Sequence, residues 1–381
     1  MNRYLFTPGP VPVSPEASLA AAMPMTAHRG KDFSAFFLSI QSKLGRLLDT
    51  NARTIVLPSS GTGALESLAA NFTGPDTKVL SVSCGVFGDR FREIVARTGA
   101  KLIHLDVAPG KAAAPECVAE AAARHPDIDV LLLTHNETST GVCNPIEGIV
   151  AALPGDKRPL VLVDGVSSVG GMACYPEKWG IDGLAAASQK GLLVPPGLGF
   201  VWLSERARYV AARRDCPSYY FDLKLQQKYL DGDAPENPYT PPVSLYYALD
   251  AALDFLLAQG PENWFAARRR AAAAFAAGLE SLGFSLLVAD AAHRSPGVTA
   301  FGLPAGDIAE VSRKLKEMGL TPAGGQGALK GKILRMAHYH DFNWPEISLA
   351  LGALYAALGA ERNRAGDFMK AAYAAWEGEA K

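Results

Sequence analysis

The feature that most constrains the fold of this chain is a regular alternation of short apolar runs and helical patterns between residues 54 and 203. Turn residues bound each run, and a helical pattern separates most runs from the next. Strands that alternate with helices are joined by crossovers, which make the strands parallel and cover both faces of the sheet. We therefore expect an α/β fold with a mainly parallel, seven-stranded sheet. The expected strands are Thr54–Leu57, Lys78–Val82, Lys101–Leu105, Asp129–Thr134, Leu160–Asp164, Gly183–Ala187 and Gly199–Leu203.

The pattern changes at about Pro242, where long helical segments replace the alternation. Helices are expected over Ser244–Ala258 and Glu262–Leu282, and a third over Asp307–Met318. The expected strands of this region are Phe284–Val288, Val298–Gly302 and Lys332–Ala337. We expect three parts, namely an arm (1–14), a large domain (15–255) and a smaller C-terminal α+β domain (256–381).

Composition and charge exclude several classes of protein. Hydrophobic residues make up 49% of the 381 residues, which is enough for real cores and excludes a disordered scaffold. The net charge of -1 leaves no positive field to hold nucleic acid or an acidic membrane. No apolar run approaches the roughly 20 residues that cross a bilayer, and the amino end lacks the apolar core of a signal peptide. We expect a cytoplasmic protein with small-molecule ligands.

The cysteines favour the same compartment. They are odd in number and scattered, at Cys84, Cys117, Cys143, Cys174 and Cys216, without a Cys-x-x-Cys pair. This pattern is typical of reduced thiols in a large intracellular enzyme, and it speaks against a disulfide framework or a zinc site.

Three segments carry candidate binding or catalytic residues. Ser59–Glu66 follows a strand and opens a helix, so its backbone N–H groups and hydroxyls can bind phosphate, although a simple capped helix has the same pattern. Asp164 ends an apolar strand, where a buried carboxylate needs a cation or a metal, or else caps a helix. Lys190 follows the next strand. Such a lysine is usually a surface residue, but in a pocket it can lose its proton and react with an aldehyde.

Together the three segments describe the needs of one cofactor, pyridoxal phosphate. This molecule requires a phosphate cradle, a lysine for its aldehyde and an acid for its ring nitrogen. The phosphate segment is neither a dinucleotide fingerprint, since Glu66 stands where the third glycine belongs, nor a nucleoside-triphosphate loop, which ends in Gly-Lys-Ser/Thr. In a parallel sheet all three segments reach the crevice at the carboxyl ends of the strands.

The sequence resembles the class V aminotransferases of fold type I, the family of alanine–glyoxylate and serine–glyoxylate transaminases. The resemblance runs from Thr7-Pro8-Gly9-Pro10 to Arg335 and includes a family signature at 134–141. It implies that Lys190 bonds covalently to the cofactor aldehyde and that Asp164 pairs with the ring nitrogen. The other cofactor contacts that it implies are Ser60, Gly61, Thr62 and Gln189 at the phosphate, Phe87 and Val166 on the ring faces, and Thr138 at the ring phenolate.

The resemblance also implies a homodimer with shared active sites. Residues 238–242 resemble a segment that crosses a dimer interface, which brings Thr240 to the phosphate of the neighbouring subunit. Arg335 matches the arginine that holds the substrate carboxylate, and a planar guanidinium suits that bidentate task better than lysine. His28 and Arg29 resemble an amino-terminal family segment near the site, and their role stays open.

Two histidines invite a metal interpretation. His338 and His340 alternate onto one strand face with Asp341 nearby, but no third ligand stands at motif spacing. We therefore expect no metal, and histidines beside a substrate site are the commoner case.

The implied function is a pyridoxal-phosphate-dependent transaminase that moves an amino group from alanine or serine to glyoxylate or pyruvate by a ping-pong mechanism. The rivals in the same family are phosphoserine, aspartate and 2-aminoethylphosphonate transaminases, which need a second anion site. Cysteine desulfurase needs a reactive thiol late in the chain, whereas no cysteine follows Cys216. A regulator that only binds the cofactor would need a helix-turn-helix segment or a basic arm, and neither is evident.

Overall fold

The computed structural model describes residues 4–153, 155, 158–304, 306–340, 342–359 and 365–378. Its strands are β1 (Tyr4–Leu5), β2 (Ile55–Pro58), β3 (Lys78–Ser83), β4 (Lys101–Asp106), β5 (Val130–Thr134), β6 (Asn136–Glu137), β7 (Val142–Cys143), β8 (Leu160–Asp164), β9 (Gly183–Ala187), β10 (Leu198–Leu203), β11 (Ser285–Leu286), β12 (Val298–Gly302), β13 (Leu320–Thr321), β14 (Ala323–Gly324) and β15 (Leu334–Ala337). Its α-helices are α1 (Pro15–Ala21), α2 (Lys31–Leu48), α3 (Gly61–Phe72), α4 (Val86–Ala96), α5 (Pro115–Arg124), α6 (Ile146–Ala152), α7 (Glu205–Ala211), α8 (Leu223–Leu230), α9 (Val243–Gln259), α10 (Pro261–Ser281), α11 (Ile308–Glu317), α12 (Trp344–Leu358) and α13 (Ala365–Gly378).

The large sheet has seven strands in the order β2-β10-β9-β8-β5-β3-β4. Strand β10 runs antiparallel to both β2 and β9, and the remaining pairs are parallel. The antiparallel strand follows β9 after a turn without a crossover helix, which is the connection that permits an antiparallel neighbour. The expected mainly parallel, seven-stranded sheet is confirmed.

Burial explains why the central strands read as continuous apolar runs. Every residue of β5, β9 and β10 is buried, and so is every residue of β8 except Leu160. Helices cover both faces of a parallel sheet, so no residue of a central strand has a solvent side. The carboxyl ends of β8 and β9 therefore present Asp164 and the segment before Lys190 at the same edge of the sheet.

The second sheet is smaller and antiparallel, with the order β11-β12-β15-β14. Its core joins Phe275 of α10, Phe301 of β12 and Leu351 of α12. Of the three expected strands, Val298–Gly302 has the expected bounds, while the other two are shorter at Ser285–Leu286 and Leu334–Ala337. The expected smaller α+β domain is present.

The amino-terminal segment connects the two sheets. Strand β1 pairs in parallel with β13, and Phe6 lies in the core of the smaller domain. Further along, the Val11 N–H donates to the Gln189 carbonyl of the large domain at 3.2 Å. The expected boundaries of the arm and the domains stay predictions, since residues 255 and 256 both lie inside α9. Within the described part of the chain, no helix combines the length and the apolar character needed to cross a membrane.

Candidate active site

Lys190 lies in the turn between β9 and β10. Two hydrogen bonds of Ser188 close this turn, since its N–H donates to the Leu198 carbonyl at 3.0 Å and its hydroxyl donates to the Pro195 carbonyl at 2.7 Å. The Lys190 ammonium donates to the Pro8 carbonyl of the amino-terminal segment and lies 6.0 Å from the centre of the Phe87 ring. Burial lowers the pKa of Lys190 to about 8, although the charge of Asp164 opposes the shift. A neutral amine is therefore accessible near physiological pH.

Asp164 ends β8 with only 5% of its surface exposed. The Val166 N–H donates to its Oδ1 atom at 2.9 Å. Burial raises the pKa of this carboxyl to about 7, and the Val166 hydrogen bond and the charge of Lys190 oppose the shift. Because these contacts only partly offset the cost of burying the charge, we expect a cationic partner to stabilise the ionised form of Asp164.

The first turn of α3 has the geometry of a helix end that can bind an anion. The Ser60 hydroxyl caps the helix by accepting from the Gly63 N–H at 3.2 Å, and the N–H groups of Gly61 and Thr62 lack partners within the helix. The helix dipole adds positive potential at this end. A Cβ atom at Gly61 would lie 2.7 Å from both γ-carbons of Val166, so only glycine permits this close approach.

One cavity of about 400 Å³ brings most of the predicted site residues together. The predicted residues that line it are Ser60, Gly61, Thr62, Phe87, Thr138, Asp164, Val166, Gln189 and Lys190. It is also lined by residues that we did not predict for the site, namely Gly9, Pro10, Leu65, Arg90, Asn136, Ser167, Pro196 and Gln326. The cavity thus joins the large domain with the amino-terminal segment and with the loop before β15.

Arg335 lies next to this cavity on β15, with 5% of its surface exposed. Its guanidinium donates to the Thr138 carbonyl at 2.8 Å and to the Gly324 carbonyl at 2.9 Å. Burial lowers the pKa of Arg335, and the negative charge of Glu137 opposes that shift. Because a guanidinium has five N–H donors, this anchoring leaves donors for a carboxylate.

Arg90 is a second cation at the cavity. It lies on α4, one turn after Phe87, with its guanidinium carbon 4.9 Å from the centre of the Phe87 ring. Among the described residues, no carboxylate forms an ion pair with it. The signal that could have revealed Arg90 is its position three residues after Phe87, since residues with this spacing share a helix face.

Three buried amide oxygens of residues that line the cavity have no hydrogen-bond partner among the described residues, namely Oδ1 of Asn136, Oε1 of Gln189 and Oε1 of Gln326. The amide nitrogen of Asn136, in contrast, donates to the Ser167 hydroxyl at 3.0 Å and to the Tyr339 hydroxyl at 2.8 Å. Buried polar atoms normally have partners, so these three oxygens are positions that a bound ligand or water would satisfy.

Thr240 does not line the cavity. Its side chain is exposed, so its expected contact with a neighbouring subunit stays a prediction. Arg29 binds the loop that precedes Thr240. Its guanidinium donates to the Asn237 carbonyl at 3.0 Å and forms an ion pair with Glu236 at 2.5 Å. His28, next to it, is partly buried.

The two histidines near Arg335 lie in different environments. His338 is fully buried, where its Nδ1–H donates to the Pro296 carbonyl at 2.6 Å and its Nε2 atom accepts from the Thr299 hydroxyl at 3.0 Å. Burial lowers the pKa of His338 to about 3. His340 contacts the rings of Phe6 and Phe342. The described residues contain no cluster of three or more metal-binding side chains, and Asp341 lies outside them.

Comparison with known proteins gives the family. A family model described as aminotransferase class V matches residues 16–339. The chain belongs to the class V aminotransferases. This aminotransferase is 33% identical to an L-aspartate–glyoxylate aminotransferase of Paracoccus denitrificans, over 88% of this chain and 85% of the relative. It is 34% identical to an alanine–glyoxylate aminotransferase of Callithrix jacchus, over 88% and 82% of the two chains.

Comparison with a solved structure supports the same family for the fold of the aminotransferase. The pyridoxamine–pyruvate aminotransferase of Mesorhizobium loti superposes with a TM-score of 0.94 and 28% sequence identity, covering 100% of this chain and 98% of that chain. The expected fold type and the expected transaminase activity are confirmed.

Proposed function

We propose that this aminotransferase uses pyridoxal phosphate to transfer the amino group of a small amino acid, alanine or serine, to glyoxylate or pyruvate. The observation that carries the proposal is the convergence of Lys190, Asp164 and the first turn of α3 on one cavity. These groups provide an amine, a buried carboxylate and an anion-binding helix end, which are the three requirements of this cofactor.

The residues present fit pyridoxal phosphate. The unpartnered amide oxygens of Asn136, Gln189 and Gln326 offer acceptors to a bound ligand. Phe87 and Val166 offer apolar surfaces for the ring, and the first turn of α3 offers N–H donors for the phosphate. When bound, the cofactor would supply an electron sink for the substrate's α-carbon.

Each protein group then has a separate task. Asp164 would keep a proton on the ring nitrogen, since a buried carboxylate is stabilised by a positive partner. The Nζ atom of Lys190 would take the α-proton of the substrate, and a pKa of about 8 suits an amine that must both accept and release a proton. Arg335 would orient the substrate by its carboxylate, with its guanidinium held by two backbone carbonyls.

The proposed preference for a small donor rests on the volume of the cavity. The cavity of about 400 Å³ is near the lower end of the range of about 300–1,000 Å³ for small-molecule sites. It must hold both the cofactor and part of the substrate, which favours short side chains. The three relatives named above for glyoxylate or pyruvate are 28%, 33% and 34% identical to the chain.

A second candidate donor is aspartate, and Arg90 is the observation that favours it. A cation at the cavity without a carboxylate partner among the described residues could bind the side-chain carboxylate of the donor. The relative from Paracoccus denitrificans is named for aspartate as its donor. A phosphoserine or 2-aminoethylphosphonate donor would need the same second cation.

A donor panel decides between these candidates. Alanine, serine, aspartate, phosphoserine and 2-aminoethylphosphonate would each be tested against glyoxylate and pyruvate, with kcat/KM as the measurement. For a small donor, alanine or serine gives the largest value, and Arg90→Gln changes it little. If aspartate is the donor, Arg90→Gln lowers kcat/KM for aspartate at least tenfold while alanine is spared. The exposed Arg97→Gln, at the C-cap of the same helix, serves as the control. A chain that transaminates none of these donors would contradict both candidates.

The proposal includes a homodimer in the cytoplasm. The exposed Thr240, the exposed Tyr219 and the family resemblance of residues 238–242 support a subunit interface at this face. Sedimentation at falling protein concentration should show dissociation together with loss of cofactor, and a fully active monomer would contradict the shared site. The odd, scattered set of five cysteines supports the reducing cytoplasm.

A further inference from the structure

The start of α4 lacks a cap of its own. Gly85 occupies the N-cap position, and it has no side chain to accept from the first N–H groups of the helix. Unsatisfied N–H groups at a helix end destabilise the helix unless other residues accept them. This helix carries Phe87 and Arg90, both of which line the cavity, so its starting position determines where these two side chains lie.

A distant segment supplies the missing cap. The Oε2 atom of Glu137 accepts from the N–H groups of Phe87 and Gly88, each at 3.0 Å. The Ser139 hydroxyl accepts from the Val86 N–H at 3.0 Å and itself donates to Oε1 of Glu137 at 2.6 Å. The first three N–H groups of α4 are therefore all satisfied by the pair Glu137 and Ser139.

The packing around this pair is tight. Glu137 has no exposed surface, and Ser139 has 1%. A Cβ atom at Gly85 would lie 2.4 Å from the Ser139 hydroxyl oxygen and 2.7 Å from Cδ of Glu137. The backbone of Gly85 is extended, with φ at 169°, so glycine is required here by this contact rather than by its conformation.

The same segment also reaches the substrate-binding side of the cavity. Thr138, between the two capping residues, accepts from the Arg335 guanidinium through its carbonyl at 2.8 Å and lines the cavity. The negative charge of Glu137 lies close enough to oppose the effect of burial on the pKa of Arg335. One segment thus touches both α4 and Arg335.

We propose that Glu137, with Ser139, is a positioning residue that fixes Phe87 and Arg90 against Arg335 by capping α4. The carboxylate contributes two acceptor atoms and a negative charge at the positive end of the helix, and both strengthen its hydrogen bonds. The part of the proposal that concerns cofactor binding rests on the proposed use of pyridoxal phosphate. The capping itself does not.

The test compares three variants of the full-length protein. Glu137→Gln keeps the size but loses the charge and one acceptor, Ser139→Ala removes the acceptor for Val86, and Gly85→Ala inserts a methyl group between the capping residues. The exposed Glu147→Gln on α6 is the matched control for charge. The buried Leu354→Ala in the smaller domain is the control for a general loss of stability.

Two measurements separate positioning from mere folding. Hydrogen exchange of the cofactor-free protein should become faster in peptides that cover Val86–Phe91 in all three variants, and should stay unchanged there in both controls. The dissociation constant of pyridoxal phosphate, followed by absorbance, should rise about tenfold in Glu137→Gln, and the circular dichroism of the bound cofactor should weaken. Neither change is expected from Leu354→Ala, even though it lowers the melting temperature.

Each outcome decides the matter. Unchanged exchange at 86–91 in all three variants overturns the capping role. Faster exchange with a dissociation constant within twofold of wild type overturns the link to the cofactor. If the wild-type protein itself binds no pyridoxal phosphate, the proposed function fails, while the exchange data still decide whether Glu137 holds α4.

Discussion

Replacing Asp164 with asparagine should make the cofactor-free protein more stable at neutral pH while it slows catalysis. The side chain is 5% exposed and accepts from the Val166 N–H, and burial raises its pKa to about 7. In the unfolded chain an aspartate has an ordinary pKa of about 3.9. Asparagine has nearly the same shape, keeps an oxygen for the Val166 N–H and has no charge to bury.

The sign and size of the effect follow from these pKa values. Between about pH 4 and pH 7 the folded protein keeps the proton of Asp164 while the unfolded chain has lost it, so the free energy of unfolding falls as the pH rises. A difference of about three pKa units corresponds to about 4 kcal/mol. The gain in stability is smaller than this, because in the variant Lys190 loses its attraction to the charge of Asp164. We therefore expect Asp164→Asn to be more stable by about 1–3 kcal/mol at pH 8 and by almost nothing at pH 4.

The assay is thermal unfolding of the cofactor-free wild type and variant at one protein concentration, from pH 4 to pH 8. The difference in melting temperature should grow with pH and level off above pH 7. Asp367→Asn, on the exposed side of α13, is the control and should show no such trend. The reasoning is refuted if the difference stays constant with pH, or if the variant melts first at pH 8. With cofactor, the half-reaction should slow by several orders of magnitude.

Three further predictions concern the same cavity. Borohydride reduction of the cofactor-loaded protein and peptide mapping should find the cofactor mass on Lys190, and its presence on another lysine would reject that role. Arg335→Ala should lower kcat/KM about 10²- to 10⁴-fold in both half-reactions while the spectrum of the bound cofactor survives, and intact half-reactions would contradict the carboxylate contact. Gly61→Ala should cost about 1–3 kcal/mol, because its Cβ would overlap Val166, and should weaken cofactor binding, whereas an unchanged dissociation constant would show that the helix end does not hold the phosphate.

The sequence predicts the buried strands well and the short ones poorly. Leu160–Asp164 and Gly183–Ala187 have the predicted bounds because both faces of these strands are covered, which produces an uninterrupted apolar run. Strands β1 and β14 have two residues each, too few for any period to appear. Their positions depend on pairing with β13 and β15, which no local pattern encodes.

In the candidate site, too, some residues could be predicted from local sequence and others could not. Asp164 and Lys190 could be predicted because the end of each strand is marked by a change from apolar to polar residues. For Arg90 the sequence offers only its spacing of three residues from Phe87, because its place at the cavity depends on how α4 is rotated against the sheet. The capping task of Glu137 was also hidden, since its partners at Phe87 and Gly88 are distant in sequence. Thr240 depends on a second subunit and stays a prediction.

The pairing of β2 has a consequence for protein synthesis. Among the described strands, β2 pairs with β10 alone, with Pro58 opposite Leu198, and the Ser59 N–H donates to the Gly197 carbonyl at 2.9 Å. A nascent chain that has emerged from the ribosome as far as Lys190 therefore carries Ser60, Asp164 and Lys190 but not the strand that holds Ser59 and Ser60 in place. Because such non-local pairing forms late, the growing chain should become able to capture a phosphate only after β10 has emerged.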